Sequence, residues 1–382
     1  MIPLSEPNIS GNEWKYVKEC LDSTWISSSG KFVEVFQNKI EDYTKSKYAI
    51  ACVNGTSALQ VSLKLAGVKP GDEVIVPTLT FIAPVNAIVY NGARPVFMDC
   101  DKYYNINSEK TIDFINTQTY FKNGSSYNKK TDKRISAIVP VNIWGNACNL
   151  DELVPTCIKR NIKIIEDASE SLGTIYKSEK FNGIHTGTIG LLGCLSFNGN
   201  KIITTAGGGM ILTNNHKLAQ KAKYLITQAK DDPVRYKHNE IGYNFRLTNI
   251  QAALGVAQLE QLPKFLKCKK RIYNKYNKAI NDIEGLSIAS PPLYAENNHW
   301  MNVLKINSEF SKNKELLIKK LNNRGVHVRP VWILNHTQKP YINCQNYRIE
   351  FAVDLFEKSI CLPSSTNLND NDLNYVIGCL NE

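Results

Sequence analysis

The stretch LSFNGNKIITTAGGGM, residues 195–210, decides how the fold is interpreted. A strand-like run ends at Ser196, a single lysine, Lys201, follows among small polar residues, and three glycines come next. A surface turn has this composition too, and the glycines lack the GxxxxGK[ST] order of a phosphate-binding loop. A lysine in a sheltered loop can instead condense with a carbonyl group, because burial favours its uncharged, nucleophilic form. The stretch alone leaves these interpretations open.

Outward from this stretch, short apolar runs alternate with stretches of helix length through the first two thirds of the chain. This alternation predicts an α/β fold, with a mostly parallel sheet covered by helices on both faces. In such sheets ligands bind beyond the carboxyl ends of the strands, so candidate site residues belong there. The predicted strands are 48–53, 73–76, 95–98, 135–139 and 162–165, and the predicted helices include 57–66, 81–90 and 150–160.

The character of the chain changes near Thr248, where apolar residues begin to recur at helical spacing behind a Thr-Asn pair suited to cap a helix. The amphipathic pattern resumes after Pro263 and runs to about residue 280, and a further helix is predicted at about 312–323. The polar stretch 120–133 predicts an exposed loop. We therefore predict a large cofactor-binding α/β domain over residues 1–247, followed by bridging helices and a small α+β domain over residues 248–382.

Composition excludes several classes of protein. Of 382 residues, 43% are hydrophobic, which is too many for a disordered chain. The net charge of +11 favours anionic ligands, but the basic residues are scattered and do not predict nucleic-acid binding. We expect a cytoplasmic protein without membrane insertion, because neither a signal peptide nor an apolar run of membrane-spanning length is evident. The ten cysteines include no CxxC pair, so reduced thiols and no structural metal are expected.

A second informative segment, Ile164–Gly173, places carboxylates directly after a hydrophobic strand. Glu166, Asp167 and Glu170 could form a solvated acidic turn or a magnesium site. A strand-end carboxylate could equally hold the protonated ring nitrogen of a pyridine cofactor that acts as an electron sink.

Three further segments have a simple structural explanation when each is taken singly. Gly55, Thr56 and Ser57 open a predicted helix, where free N–H groups can hold a phosphate or merely belong to a capped helix start. Phe81 follows the next strand and could be a core residue or a stacking aromatic. Asn244 and Arg246 alternate with aromatic residues just before the helix that begins near Thr248.

In this order along the chain, the segments resemble the pyridoxal-phosphate aspartate-aminotransferase fold, fold type I. More narrowly, they resemble the DegT/DnrJ/EryC1/StrS family of nucleotide-sugar aminotransferases, over nearly the whole chain. The sequence Ser196-Phe197-Asn198-Gly199-Asn200-Lys201, together with Thr204-Thr205 and Glu170, looks most like the bacillosamine and legionaminic-acid branch. That branch implies UDP-4-keto-6-deoxy-N-acetylglucosamine as the sugar substrate.

The resemblance implies a role for each candidate residue. Lys201 matches the lysine that binds pyridoxal phosphate as an aldimine, and Asp167 matches the carboxylate on the pyridine nitrogen. Phe81 takes the place of the aromatic that stacks on the ring, and Glu170 stands near the ring hydroxyl, where other members often have His or Gln. The remaining matches are the phosphate contacts Thr56, Ser57 and Ser196, the partner-subunit phosphate contact Asn244, and the substrate-side residues Trp25, Ser27, Arg246, Arg329, Trp332 and His336.

The function that the resemblance implies is ping-pong transfer of an amino group from glutamate to a keto sugar, on a route to polysaccharide or lipopolysaccharide. A homodimer with shared active sites is expected with it. Lysine at position 201 favours amination over the family's sugar 3-dehydrases, which carry histidine there. The alternatives are a dTDP-, GDP- or CDP-linked 3- or 4-keto sugar as substrate, a non-enzymatic cofactor-binding regulator of the same fold, or a magnesium-dependent nucleotide-binding protein.

Overall fold

A computed structural model of the chain describes residues 1–232, 234–307 and 313–381. Among these residues, no helix has both the length and the apolar character needed to cross a membrane. The helices are α1 Glu13–Asp22, α2 Lys31–Thr44, α3 Gly55–Leu65, α4 Ile82–Tyr90, α5 Ser108–Thr117, α6 Leu153–Lys159, α7 His216–Ile226, α8 Asn249–Ile280, α9 Lys314–Asn323, α10 Phe351–Glu357 and α11 Asp370–Asn381. The strands are β1 Tyr48–Cys52, β2 Glu73–Pro77, β3 Arg94–Met98, β4 Thr119–Lys122, β5 Ser125–Asn128, β6 Arg134–Ile138, β7 Lys163–Asp167, β8 Ile175–Tyr176, β9 Leu192–Ser196, β10 Gly209–Thr213, β11 Lys230–Asp232, β12 Lys237–His238, β13 Leu286–Ile288, β14 Ala295–Glu296, β15 Asn302–Ile306, β16 Arg329–Pro330, β17 Asn346–Tyr347 and β18 Ser359–Leu362.

The large sheet has the strand order β1-β10-β9-β7-β6-β2-β3-β17. Each neighbouring pair of strands from β9 to β17 in this order is parallel, whereas β10 runs antiparallel to both β1 and β9. Alternate residues of one strand enter different hydrophobic clusters: Val74 and Val76 pack with α3 and α4, and Ile75 packs with α5 and α6. The predicted α/β architecture, with helices on both faces of a mostly parallel sheet, is confirmed.

The prediction of an exposed loop over residues 120–133 was wrong. Strands β4 and β5 form a hairpin there, and β5 pairs with β6 at the edge of the large sheet. The hairpin turns at Asn123-Gly124, where both residues have positive φ, the geometry of a tight hairpin turn. Its inward-facing positions carry polar side chains such as Asn128, which is buried and donates a hydrogen bond to Glu73. Hydrogen bonding replaces apolar contact at these positions, so hydrophobic alternation did not reveal the strands.

Helix α8 connects the large sheet to the C-terminal part of the chain. Thr248 caps it as predicted, and its side chain forms a capping box with Gln251. The helix continues through Pro263, and Leu262 and Phe265 are buried on either side of the proline.

The smaller sheet has the order β13-β15-β18-β16, and its core includes residues of α8, α9 and α11. Helix α9 begins at Lys314, and Lys312, where a helix start was predicted, lies outside the described residues. Strand β17 returns to the large sheet beside β3, so the C-terminal third of the chain also contributes to that sheet. The domain boundary at residues 247/248 stays a prediction.

Candidate active site

A cavity of about 390 Å³ lies at the carboxyl ends of β7 and β9, beside the start of α3. Parallel strands bring their carboxyl ends to one edge of a sheet, which explains why residues distant in sequence meet here. Of the residues selected from the sequence, the lining includes Thr56, Phe81, Asp167, Glu170, Ser196, Lys201, Arg329 and Trp332.

Asp167 is the last residue of β7, and its side chain lies almost wholly buried on the cavity wall. Burial raises the pKa of this carboxyl group, while hydrogen bonds from Ser169 and the positive charge of Lys201 act in the opposite direction. The backbone N–H of Ser169 donates to Oδ1 at 3.1 Å. A buried carboxylate of this kind is suited to a cationic partner inside the cavity.

Glu166, next to Asp167, does not take part in the cavity. Its carboxylate accepts hydrogen bonds from the backbone N–H groups of Gly187, Ile189 and Gly190 at 2.8, 2.7 and 2.7 Å. Neighbouring residues of a strand point to opposite faces, which separates the two carboxylates. Glu166 and Asp167 therefore form no shared magnesium site, and the described part of the chain contains no cluster of three His, Cys, Asp or Glu side chains able to hold a metal.

Lys201 and the buried Glu170 form an ion pair in the cavity wall. The Lys201 Nζ lies 3.3 Å from the Glu170 Oε1, and the backbone N–H of Trp144 donates to Oε2 at 2.7 Å. Trp144 has a φ of 52°, in the left-handed region that a bulky residue rarely adopts. Burial raises the pKa of the Glu170 carboxyl group, and the charge of Lys201 opposes this shift. Glu170 is thus held where it can accept or return a proton at the lysine amine.

The start of α3 forms the polar end of the cavity. The Asn54 side chain caps the helix by accepting a hydrogen bond from the Ser57 N–H at 2.7 Å. Gly209 approaches so closely that a Cβ atom there would lie 2.6 Å from the nitrogen of Gly55, which only glycine permits. The first N–H groups of a helix have no partner within the helix, and the helix dipole adds positive potential. This end of the cavity therefore suits a phosphate group.

Phe81 projects from the loop between β2 and α4, and its side chain is half exposed. Asn335 holds this loop by donating from Nδ2 to the carbonyls of Thr78 and Thr80 at 3.1 and 2.7 Å. His336 bonds the Thr78 hydroxyl at 2.7 Å and lies behind the loop, outside the cavity lining. An exposed ring on a fixed loop can stack on a planar ligand.

Five more of the selected residues are not among the lining residues of this cavity in the single chain: Trp25, Ser27, Ser57, Asn244 and Arg246. The carbonyls of Trp25 and Ser27 accept hydrogen bonds from Asn249, and the buried Arg246 Nε has no hydrogen-bond partner among the described residues. Asn244 forms a backbone bridge with Thr227. The roles that the family resemblance implies for these residues stay predictions.

Sequence reasoning missed three residues of the site: Asn54, Trp144 and Trp300. Asn54 could have been found as the capping residue before Gly55-Thr56-Ser57. Trp144 follows β6, and residues that follow a strand of a parallel sheet are expected near the ligand site. Trp300 lies about a hundred residues from Lys201 in sequence, and only folding brings it to the cavity.

Comparison with known proteins identifies relatives along the full chain. Residues 7–381 match the DegT/DnrJ/EryC1/StrS aminotransferase family. The chain is 36% identical to a GDP-perosamine synthase of Caulobacter vibrioides and 36% identical to one of Escherichia coli O157:H7, each match covering 100% of this chain and 98% of the relative. In structure it is similar to the sugar aminotransferase Spr1654 from Streptococcus pneumoniae in its PLP form, with a TM-score of 0.87 at 24% identity over 100% of this chain and 97% of that one.

Proposed function

Because the chain belongs to the DegT/DnrJ/EryC1/StrS aminotransferase family, we propose that it aminates a GDP-linked keto sugar with glutamate as the amino donor. The coarser activity follows from family membership: the protein is a pyridoxal-phosphate-dependent nucleotide-sugar aminotransferase. The observation that supports the geometric part of the proposal is that Lys201 and Asp167 line one cavity whose far end is the start of α3.

The residues present fit pyridoxal phosphate. We assign the phosphate to the start of α3 with Thr56 and Ser196, the face of the ring to Phe81, and the ring nitrogen to Asp167. When bound, this cofactor supplies an aldehyde and an electron-accepting protonated ring that stabilises charge on the adjacent carbon. Asp167 is then the anion that keeps the ring nitrogen protonated, and its burial strengthens that interaction by excluding water.

Lys201 supplies the reacting amine and moves protons. Its ammonium form is paired with Glu170, and the amine can react only after it releases a proton. The Glu170 carboxylate, whose pKa burial raises, can accept that proton at Oε1 while the Trp144 N–H holds Oε2 in place. Lys201, once free, can act as a general base and acid in turn.

The GDP-linked substrate is favoured over the UDP-linked one. The resemblance to the bacillosamine branch is limited to residues 196–201, Thr204-Thr205 and Glu170, whereas the similarity to GDP-perosamine synthases extends over the whole chain at 36% identity. We therefore propose that the product is GDP-perosamine or a closely related GDP-linked amino sugar. Arg329 in the cavity lining offers a cation for the diphosphate.

A homodimer is part of the proposal, because Asn244 lies outside the cavity of its own chain. The family resemblance implies that this residue reaches the cofactor phosphate in the neighbouring subunit. The exposed aromatic and aliphatic side chains nearby, including Tyr236 and Ile241, are consistent with a covered surface.

The test is an amination assay on matched nucleotide sugars. GDP-linked 4-keto and 3-keto 6-deoxyhexoses are compared with UDP-4-keto-6-deoxy-N-acetylglucosamine and with dTDP- and CDP-linked keto sugars, using ¹⁵N-glutamate as donor. We expect the label to enter a GDP-linked sugar with the highest kcat/KM. Faster amination of the UDP sugar would contradict the GDP assignment, and no amination of any sugar by the cofactor-loaded protein would favour the regulator.

A further inference from the structure

The peptide carbonyl immediately before Lys201 is held from two sides. The Asn200 carbonyl accepts a hydrogen bond from the indole Nε1 of Trp300 at 2.7 Å and another from the Ser5 hydroxyl at 3.0 Å. These donors come from distant parts of the sequence. The loop between β9 and β10 that carries Lys201, here called the lysine loop, is therefore fixed by tertiary contacts. A fixed carbonyl limits how far the backbone of Lys201 can shift within the cavity.

The ring of Trp300 also contacts the reacting amine itself. The Lys201 Nζ lies over the indole at 4.3 Å from the ring centroid, and Trp300 is almost completely buried. An ammonium group over a buried indole is stabilised by the ring quadrupole. With Glu170 at 3.3 Å, the amine lies between an aromatic ring and a carboxylate.

Asn298 connects these two neighbours of the lysine. Its Oδ1 accepts from the backbone N–H of Trp300 at 2.9 Å, and its Nδ2 donates to the carbonyls of Glu170 and Leu172 at 2.8 and 2.9 Å. The buried Lys269 donates to the Trp300 carbonyl at 2.9 Å and to the carbonyl of Ser364. Trp300 is therefore anchored through its backbone on two sides, and its position relative to Glu170 is set by one amide side chain.

We propose that Trp300 is a positioning residue for Lys201, whose indole N–H fixes the lysine loop and whose ring face stabilises the lysine ammonium. The inference rests on the proposed function only in taking Lys201 as the reacting amine. The two contacts are separable by substitution: Trp300→Phe keeps an aromatic face and removes the N–H, whereas Trp300→Leu removes both.

The first measurement needs no turnover. Full-length chain freed of cofactor is acylated with isotope-labelled acetic anhydride, and labelling of Lys201 is followed by peptide mass spectrometry. In Trp300→Leu the ammonium form loses the ring, so we expect labelling at neutral pH to be about 2- to 30-fold faster than in wild type. The other charged groups of the cavity, Asp167, Glu170 and Arg329, are unchanged in this variant.

The matched control is Trp332→Leu, which also replaces an indole ring in the lining of this cavity with a leucine side chain. Trp332 packs on Phe81 and Trp144 at centroid distances of 6.0 and 5.5 Å. Labelling in this variant should stay within about twofold of wild type. Equal labelling in Trp300→Leu and wild type, or an equal increase in both leucine variants, would overturn the stabilising role of the ring.

The second measurement tests the hydrogen bond by steady-state amination. Trp300→Phe should lower kcat by about tenfold or more with a much smaller change in KM for the sugar, because misplacing a reacting group costs rate rather than binding. Ser5→Ala, which removes the other donor to the same carbonyl, should act in the same direction. An unchanged kcat in Trp300→Phe would overturn the role of the N–H. Failure of every sugar to react would contradict the proposed function, and the labelling result would still decide the role of Trp300.

Discussion

The carboxylate of Glu170 lies 3.3 Å from the Nζ of Lys201 and is held there by the N–H of Trp144. Other family members often carry His or Gln at the Glu170 position, according to the resemblance that the sequence indicated. The contact gives Glu170 a direct effect on the charge of the reacting amine. It also makes the residue testable separately from Lys201.

Glu170→Gln should reduce kcat about 10²-fold, the order of a lost general acid–base group. The amide oxygen can still accept from Trp144, but it cannot take a proton from Lys201. In wild type, burial raises the pKa of Glu170, so activity should fall as the pH drops through that raised value and the carboxylate becomes protonated. The pH profile of kcat/KM should lose this acidic limb in Glu170→Gln, and an identical profile in both proteins would contradict the proton-accepting role.

Lys201→Ala should abolish amination, with a loss of at least about 10³-fold, because the nucleophilic amine is removed. Borohydride reduction followed by mass spectrometry should attach the cofactor to wild type and not to the variant. Lys201→Arg is the matched control, since it keeps the positive charge beside Glu170 but cannot condense with an aldehyde. Covalent trapping of cofactor at position 201 in either variant is impossible, so trapping elsewhere would mean that another lysine reacts.

Asp167→Asn should lower kcat on the order of 10²-fold, because the buried charge that stabilises the protonated ring nitrogen is lost. Borohydride trapping at Lys201 should persist, since the amine is untouched. Glu166→Gln is the neighbouring control: it should lower the free energy of unfolding by about 1–3 kcal/mol through its weakened backbone hydrogen bonds. A larger kcat loss in Glu166→Gln than in Asp167→Asn would reverse the assignment of the two carboxylates.

Mixing two inactive variants tests the shared active site. If Asn244 serves the neighbouring subunit, a heterodimer of Lys201→Ala and Asn244→Ala contains one intact site and one doubly altered site. Random reassociation of equal amounts should therefore restore about a quarter of wild-type activity at limiting cofactor. The separate homodimers provide the baseline, and a mixture no more active than their mean would place Asn244 in its own subunit's site or in none.

His185 predicts acid-sensitive stability outside the cavity. Its Nε2 accepts from the Gly173 N–H at 2.8 Å, its Nδ1 bonds the Thr186 carbonyl, and burial lowers its pKa to about 4. Between about pH 6.5 and 4 the unfolded chain binds a proton at this residue that the folded chain excludes. The free energy of unfolding should therefore fall with decreasing pH in this window, by up to about 1.4 kcal/mol per pH unit from this residue. Denaturant titrations of His185→Gln should lack this part of the slope, and parallel wild-type and variant curves would refute it.

Much of the site could be predicted because its residues lie at or just after the ends of strands. Asp167 and Ser196 end neighbouring parallel strands, and Thr56 opens the helix after another strand of the same sheet. A buried strand has a strong apolar signature, and its last residue is where chemistry is expected. Lys201 and Phe81 follow strands by a few residues and were reached by the same argument.

Other features were hidden because tertiary contacts replace the local signal. The hairpin of β4 and β5 carries hydrogen-bonded polar residues at inward positions, so its alternation could not be read. Helix α8 continues through Pro263, although proline is unfavourable inside a helix, and the residues that flank it are buried in a cluster that includes residues of α2. Local propensity predicts neither, since both depend on partners far along the chain.

The amino-acid sequence by itself determined the α/β class and the positions of the reactive groups at strand ends, because both follow from patterns of residues close together in the chain. The identity of residue 201 as lysine and not histidine is likewise given by the sequence. Only the tertiary structure decided which groups surround that lysine. Glu170 bonds the lysine amine across 31 residues of chain, Trp300 bonds the carbonyl that precedes the lysine across 100, and Asn298 bonds the Glu170 carbonyl across 128. Such distances carry no periodic or compositional trace, because the contacts exist only once the two parts of the chain have packed together.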